Sequence, residues 1–374
     1  VTSRTCVIAN MMRNQMIPEA SMVIKKKRTP RLLCLAFKGL NDRRLNALTS
    51  AIDQMTRLPG SDMMTTSTTS SSSSSSDYLE TIDISHNRLT SIGVCKMIQR
   101  LGNSIRSLDL SCNQILGPDI CESLNRLLED KDTILQELNL SSNDVSDRGG
   151  VILARSIRQS PHLIRLNLSH CGLKSDAGHT IADALAHSGT VIELDMSWND
   201  IASAVPKLVS LRSVRNLRLC HVSIRTSSSS NSSDEIVKQL SISIEQNKTL
   251  LHLNLSGCGL NESDMEILGE SLRQNQTLVG LHLGGNCCSH RIDAKGFMFS
   301  PAEASTCWRE SLSSSALSLH TSGDRGGRGG RGKKSWLNLP PVLSRIRDSS
   351  ENEVTHDRCW ICGGWREVSL LVSV

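Results

Sequence analysis

The residues of this sequence whose types and spacing most resemble a metal site are His356, Cys359 and Cys362. The two cysteines have C-x-x-C spacing, and thiolate and imidazole are the usual ligands of zinc. A structural zinc site needs a fourth ligand, and the sequence has no second C-x-x-C pair. We therefore predict no metal site, and we interpret Trp360 and Trp365 as apolar residues that close the end of a repeated domain.

An arginine-glycine segment, RGGRGGRGKK, runs from Arg325 to Lys334. It resembles the RGG segments of RNA-binding proteins, in which arginines contact phosphates and stack on bases. Arg325, Arg328 and Arg331 are therefore candidate RNA-binding residues, although no Phe or Tyr is interleaved with them. The alternative is a flexible basic linker. Lys25–Arg28 offers a similar choice between a nuclear-import patch and a solvated run.

A phrase that recurs along the chain is the strongest pattern in the sequence. It reads L-x-x-L-x-L-x-x-N-x-L, with other aliphatic residues at some leucine positions, and successive copies begin 23 to 36 residues apart. Copies begin at Leu79, Ile105, Leu135, Leu163, Val191, Val214, Leu250 and Leu278, and a degenerate copy contains Leu33, Leu35 and Leu40. The alternating leucines predict a half-buried strand, and the repetition predicts a solenoid.

The second half of each full unit has a helical period. Ile120, Leu124 and Leu127 share one face of the segment after Asn113, which predicts an amphipathic helix of about three turns. The unit that begins at Val191 contains Pro206, so we expect a short, irregular connector there. One unit is thus predicted to be a strand, a turn and a helix.

With this phrase and period, the sequence resembles leucine-rich repeat proteins of the ribonuclease-inhibitor type. The resemblance covers roughly residues 30–290. It implies an α/β horseshoe-shaped solenoid with parallel strands on the concave face and helices on the convex face. We expect residues 1–29 to be a basic disordered segment and residues 291–374 an irregular, largely disordered basic tail. Serine-rich insertions are expected near residues 61–76 and 226–233.

The asparagine position of the phrase is predicted to be structural. An amide side chain has both donors and an acceptor, so it can bond backbone groups freed at the bend, in its own unit and in the next. The resemblance allows Asn or Cys at this position, so its cysteines need no redox or metal role. The predicted ladder consists of Asn87, Asn113, Asn143, Cys171, Asn199, Cys258 and Asn286. Val222 breaks the pattern, and we expect its unit to be the weakest.

The residues between the strand leucines are predicted to face solvent on the concave side. Solenoids usually bind partners on such extended surfaces. We therefore predict a protein partner of unknown identity on an acidic face relieved by Arg165, with Trp198 as an aromatic anchor. The candidate partner-binding residues are Asp83, Asp109, Glu137, Asn139, Arg165, Asn167, Glu193, Asp195 and Trp198. The alternative is a solvated face whose side chains bond only one another.

Catalytic signatures are absent from the sequence, which has no P-loop, no G-x-S-x-G and no H-E-x-x-H. The sequence therefore predicts a non-enzymatic binding or scaffold protein with no cofactor. Ran GTPase-activating proteins also use this repeat type, so a small-GTPase regulator is a second hypothesis. Those proteins typically add an acidic C-terminal segment, whereas this tail is basic. An RNA-associated protein acting through the tail is a third hypothesis.

Charge and cysteine content indicate the compartment. The net charge is +5, but residues 1–31 and 320–347 each carry +6, so the rest of the chain sums to −7. Thirteen scattered cysteines form no disulfide framework, and no apolar run resembles a signal peptide or a membrane span. We expect a cytoplasmic protein with no membrane partner, and the nucleus is the alternative location.

Overall fold

The described residues fall into two compact units, which lie within Val1–Ile201 and Ala202–Val374 and which we call unit 1 and unit 2. The computed structural model describes residues 32–57, 80–101, 104–225 and 230–286, and a short hairpin at 291–292 and 298–299. Within these ranges, no helix is both long enough and apolar enough to cross a membrane.

Unit 1 contains a parallel sheet of three-residue strands. The strands are β1 (Leu32–Cys34), β2 (Thr81–Asp83), β3 (Ser107–Asp109), β4 (Glu137–Asn139), β5 (Arg165–Asn167) and β6 (Glu193–Asp195). Each has one buried central residue between two more exposed ones, because successive side chains of a strand point to opposite faces. Neighbours pair in chain order and in register: Leu138 lies opposite Leu108 on one side and Leu166 on the other.

A helix connects each pair of successive strands in unit 1, since parallel strands require a crossover connection. The helices are α1 (Asp42–Arg57), α2 (Ser91–Ile98), α3 (Gly117–Glu129), α4 (Ser146–Gln159) and α5 (Ser175–Ser188). Helix α3 has Pro118 in its first turn, where the missing N–H would be unpaired in any case. It buries Ile120, Leu124 and Leu127, as the helical period predicts.

Aspartates at the start of two helices join consecutive repeats of unit 1. A carboxylate oxygen of Asp42 accepts from the backbone N of Thr90 at 2.9 Å. Asp147 accepts from the backbone N of Lys174 at 2.9 Å and of Ala177 at 3.0 Å. Neither Thr90 nor Lys174, the N-cap residues of α2 and α5, makes a side-chain cap bond. The preceding repeat therefore caps each of these helices, where a negative charge also complements the helix dipole.

Unit 2 begins with the short connector that Pro206 predicts, a 3₁₀ turn at Ala202–Ala204 followed by α6 (Val205–Val209). The other elements of unit 2 are β7 (Asn216–Arg218), α7 (Ser230–Gln246), β8 (His252–Asn254), α8 (Glu262–Gln274), β9 (Gly280–His282), β10 (Arg291–Ile292) and β11 (Met298–Phe299). Strands β7, β8 and β9 pair in parallel and in chain order, whereas β10 and β11 form an antiparallel hairpin.

A buried ion pair links two repeats of unit 2. Arg225 Nε lies 2.6 Å from Oδ2 of Asp264, which is fully buried and also forms a capping box with Asn261 at the start of α8. A second carboxylate, Asp234 in the first part of α7, lies 2.7 Å from Arg225 Nη2. The hydrogen bonds to Asp264 and Asp234 raise the pKa of Arg225 and outweigh burial. This cluster joins the loop after β7 to α7 and α8.

The predicted α/β solenoid of strand–turn–helix repeats is confirmed within each unit. One boundary differs. Residues 230–233 were expected to loop out with the serine-rich insertion, but they form the first turn of α7, and Ser233 is buried. Serine is favourable at helix starts because its hydroxyl can bond free backbone N–H groups. The predicted segments 1–29 and 61–76, and all but the hairpin of 291–374, lie outside the described residues.

Candidate functional site

Asn143 lies just past β4, and its side chain bonds the backbone of two repeats. Its Nδ2 donates to the carbonyl oxygens of Leu140 at 2.9 Å and Leu110 at 3.0 Å. Its Oδ1 accepts from the backbone N of Asn113 at 3.2 Å and Ile115 at 3.3 Å. Asn143 is only 4% exposed, so water could not easily replace these bonds if the side chain were removed.

The other asparagines of the predicted ladder repeat this geometry. Each donates from Nδ2 to a carbonyl of the preceding repeat: Asn87 to Leu35, Asn113 to Ile84, Asn199 to Leu168 and Asn286 to Leu255. The sequence predicted bonds to the same unit and the next one. The structure instead shows bonds to the same unit and the preceding one.

Cys171 and Cys258 occupy the same ladder position with a thiol. Their Sγ atoms contact carbonyl oxygens of the preceding repeat, Leu140 at 3.3 Å and Leu219 at 3.1 Å. Burial raises the pKa of both thiols to about 12, so neither is a thiolate at neutral pH. Since the thiolate is the nucleophile and the metal ligand, these cysteines pack and bond rather than react.

The last residue of most strands makes a bond that the sequence analysis missed. Oδ1 of Asp83, Asp109 and Asn139 accepts from the backbone N two residues later, at 3.1, 2.9 and 3.1 Å. Asn167, Asp195 and Asn254 make the same bond. Asn and Asp commonly bond the backbone in this way at turns. Each of these side chains therefore uses Oδ1 to hold the bend after its strand. Each also has a second polar atom, Oδ2 in aspartate and Nδ2 in asparagine.

Asp83 and Asp109 lie directly opposite each other on β2 and β3. Their hydrogen-bond donors from side chains are neutral: Ser85 Oγ and Cys34 Sγ for Asp83, and Ser111 Oγ and Asn139 Nδ2 for Asp109. Among the described residues, no lysine or arginine pairs with either carboxylate. This end of the strand face therefore keeps its negative charge.

Arg165 divides the acidic strand face of unit 1. It bonds Glu137 on β4 through Nη1, and its Nε lies 3.3 Å from Glu193 Oε1 on β6. Burial acts to lower the pKa of Arg165, but the two carboxylates raise it overall. All three side chains are substantially exposed, so the bridge contributes little to stability. It does neutralise part of the charge on the face.

In unit 1, six non-glycine residues in the loops after the strands have a left-handed backbone conformation. Each comes one residue before the ladder position of its repeat, or before the equivalent position in the first repeat. Phe37, His86, Cys112, Ser142, His170 and Trp198 have φ between 52° and 60°. Phe37 and Trp198 are 73% and 55% exposed, and the Phe37 ring stacks on His86 with centroids 4.0 Å apart. Non-glycine residues adopt this conformation only rarely, and Phe and Trp carry no sequence signal for it.

His252 on β8 of unit 2 is fully buried, although its strand position predicts exposure. Its ring fills the space beside Gly280, where an added Cβ would lie 2.6 Å from His252 Cδ2. Its Nε2 lies 2.8 Å from Nε2 of His282, so one ring donates and the other accepts. Burial, together with the nearby His282 and Arg218, lowers the pKa of His252 to about 4. His252 is therefore neutral at neutral pH.

The predicted partner-binding residues all lie in unit 1. Eight of them are on β2 to β6, and Trp198 is in the loop after β6. The binding role of these residues stays a prediction. Arg325, Arg328 and Arg331 lie outside the described residues, as do His356, Cys359 and Cys362. Within the described ranges, no group of three or more His, Cys, Asp or Glu side chains could hold a metal ion.

The family profile described as Leucine Rich repeat matches four segments of the chain: residues 103–124, 131–154, 159–182 and 246–266. Each segment begins before a strand and runs into the helix that follows it. Each matched segment thus covers the strand, the turn and the first part of the helix of one unit of the structure.

Several curated proteins are similar to this chain over its repeats. The Tonsoku-like protein of Danio rerio is 30% identical over 225 residues, which are 56% of this chain and 15% of that protein. The ribonuclease inhibitor of Mus musculus is 26% identical over 215 residues, 56% of this chain and 40% of that protein. The human NACHT, LRR and PYD domains-containing protein 13 is 26% identical over 201 residues, 51% of this chain and 18% of that protein. The chain spans less than half the length of each relative.

Two solved structures also align with this chain. An internalin from Listeria monocytogenes has 16% identity and a TM-score of 0.32, and the alignment covers 56% of this chain and 55% of that one. Leiomodin-1 actin-binding site 2 has 12% identity and a TM-score of 0.28, with 53% of this chain and 95% of that one covered.

The class of protein follows from three observations. They are the recurring phrase in the sequence, the strand–helix units with their asparagine ladder, and the segments that the family profile matches. The chain carries leucine-rich repeats of the ribonuclease-inhibitor type. Repeats of this kind serve generally in protein–protein interaction.

Proposed function

We propose that the chain is a non-catalytic binding or scaffold protein that holds a protein partner on the strand face of unit 1. The main support is the continuity of that face. Strands β2 to β6 pair in register, so their polar outward residues form unbroken rows across five strands. Trp198 adds an exposed aromatic ring at one edge, and such rings often anchor interfaces.

The rigidity of this face also supports the proposal. The ladder asparagines hold the bend after each strand, and Asp83, Asp109 and Asn139 bond the backbone two residues on. A surface whose backbone is already ordered loses less conformational entropy when it binds. The face is therefore suited to binding a partner without rearrangement.

The test places bulk on the face without changing its charge. Thr81 and Ser107 lie opposite each other on β2 and β3, and both are partly exposed. In the full chain, Thr81→Tyr with Ser107→Tyr should reduce capture of the partners that wild type retains in an affinity pull-down at least tenfold. Capture would be quantified by mass spectrometry.

The matched control places the same two aromatic groups on the helices. Glu122 on α3 and Arg155 on α4 are exposed and of opposite charge, so Glu122→Tyr with Arg155→Tyr leaves the net charge unchanged. This variant should capture partners as wild type does. Unchanged capture by the Thr81/Ser107 variant would refute the proposed face.

Two narrower hypotheses stay predictions with their own tests. A small-GTPase regulator should accelerate GTP hydrolysis by a Ran-type GTPase, and no acceleration removes that hypothesis. RNA association through the tail should be lost when residues 324–334 are deleted, and crosslinking that survives the deletion counts against it. We also propose a cytoplasmic location, which imaging of the tagged chain would test.

A further inference from the structure

We propose that the end of the strand face formed by β2, β3 and β4 binds a lysine- or arginine-rich extended segment of the partner. Asp83, Asp109 and Glu137 would contact its basic side chains. This inference rests on the proposed function, because it names the chemistry of the partner for the same face.

The bends after β2 and β3 do not require the charges of Asp83 and Asp109. Asp83 and Asp109 accept the backbone N two residues later through Oδ1. Asn139 makes the same bond at 3.1 Å with a neutral amide, and so do Asn167 and Asn254 at 3.0 Å. Asparagine would therefore serve the bend equally well at all of these positions. The charge at two of them calls for another explanation.

The carboxylates of Asp83 and Asp109 also repel each other. Like charges directly opposite on neighbouring strands are destabilising. Asp83 and Asp109 are such a pair, in a sheet whose neighbouring strands lie about 4.8 Å apart. The nearest strand cation, Arg165 on β5, is bonded to Glu137 and Glu193 rather than to either aspartate. A cation from a partner would relieve the repulsion that the unit itself leaves in place.

An aromatic pair, Phe37 and His86, lies in the loops that follow β1 and β2. His86 lies three residues beyond Asp83, and its ring stacks on Phe37, most of whose surface is open to solvent. Lysine and arginine side chains bind favourably over aromatic rings as well as to carboxylates. A basic side chain that reaches past Asp83 would therefore meet a second favourable surface.

The charge of the whole strand face identifies the occupant as basic. Strands β2 to β6 carry five carboxylates, Asp83, Asp109, Glu137, Glu193 and Asp195, and one cation, Arg165, for a net charge of −4. An extended peptide places alternate side chains on one side, about 6.6 Å apart. Neighbouring strands are closer, about 4.8 Å apart, but the long side chains of lysine and arginine can reach carboxylates on β2, β3 and β4 from such positions.

The experiment removes charge while keeping shape. A fluorescent peptide of five Lys-Ser dipeptides is titrated onto the full chain, and anisotropy is measured at low and high salt. We expect Asp83→Asn, Asp109→Asn and Glu137→Gln together to lower affinity at least tenfold. Wild-type affinity should also fall as salt rises, because exposed charges are screened. A matched peptide of Glu-Ser dipeptides should not bind.

The control variant carries the same change of net charge elsewhere. Glu122→Gln, Asp132→Asn and Asp183→Asn together neutralise three exposed carboxylates away from the strand face. This variant should bind the Lys-Ser peptide as wild type does. Thermal melting should show that both triple variants remain folded, since the backbone bonds of Asp83 and Asp109 are kept.

Three results would overturn the inference. The first is equal affinity of wild type and the strand-face triple variant, and the second is an equal loss in the control variant. The third is peptide binding that appears only after residues 320–347, with their net charge of +6, are deleted. That last result would make this chain's own basic segment the occupant. If Thr81→Tyr with Ser107→Tyr abolishes partner capture while the neutral triple variant keeps it, the proposed function stands and the basic partner is excluded.

Discussion

The strand faces of units 1 and 2 share the same strand–turn–helix scaffold but differ in charge. On β2 to β6, the outward positions hold five carboxylates and Arg165. On β7 to β9, they hold no carboxylate, and Arg218, His252 and His282 take corresponding positions. Asn199 in unit 1 and Asn286 in unit 2 nevertheless make similar ladder bonds. The difference shows that the repeat fixes the backbone and leaves the outward residues free to vary.

The largest change in unfolding free energy is expected at the asparagine ladder. Comparing one ladder variant from each unit tests whether the ladder is equally important in both. Asn143→Ala in unit 1 removes bonds to carbonyl and N–H groups of two repeats, all at a buried position, and should cost about 3–5 kcal/mol of unfolding free energy. Asn286→Ala in unit 2 removes fewer bonds at a half-buried position and should cost about 1–2 kcal/mol. Urea unfolding followed by circular dichroism measures both variants. Equal losses would show that burial does not set the strength of the ladder.

The second prediction concerns pH and separates unit 2 from unit 1. Because the pKa of His252 is about 4 in the folded chain and about 6.5 in the unfolded chain, only the unfolded chain takes up this proton between those values. Stability should therefore fall as pH drops from about 6.5 to 4, by up to about 3 kcal/mol. Urea unfolding at a series of pH values measures the slope.

The control for this prediction is His252→Phe, which keeps a ring beside Gly280 but cannot titrate. Its stability should depend less on pH over the same interval. If the variant and wild type had the same slope, His252 would not be the group responsible.

The smallest changes in stability are expected at the last residues of the strands, which differ between the two strand faces. Asp83→Asn keeps the bond to the backbone N of Ser85 and removes repulsion from Asp109, so stability should stay equal or rise by up to about 0.5 kcal/mol. Asp83→Ala loses the bond and should cost about 1 kcal/mol. In unit 2, Asn254→Asp should also be nearly neutral, since Asp makes the same bond elsewhere. Thermal melts of the three variants measure these differences.

Most of the fold could be predicted because its determinants recur. The period of the leucines predicted the strands, and the residues at the bend predicted the ladder positions. The direction of the ladder bonds could not be read from the sequence, because both neighbouring repeats offer the same carbonyl groups. Asn143 takes Leu110 of the preceding repeat, which only the path of the chain determines.

The candidate site was predictable by position more than by chemistry. An Asp or Asn followed two residues later by Ser, as at Asp109 and Ser111, is a signal that could have revealed the second role of the strand-end residues. The burial of His252 depends on Gly280, which lies one strand away and 28 residues later in the sequence. Such a contact becomes visible only when the register of the strands is known.

The direction of the ladder bonds has a consequence for how the protein is made. Asn143 supplies the acceptor for the backbone N–H groups of Asn113 and Ile115, which emerge from the ribosome about 30 residues earlier. Where an asparagine holds the ladder position, the bend of one repeat therefore has these backbone N–H groups bonded by the repeat synthesised after it. During translation we therefore expect the bend that contains Asn113 and Ile115 to be completed only after Asn143 has emerged. Truncation at a repeat boundary would leave the last bend without its acceptor.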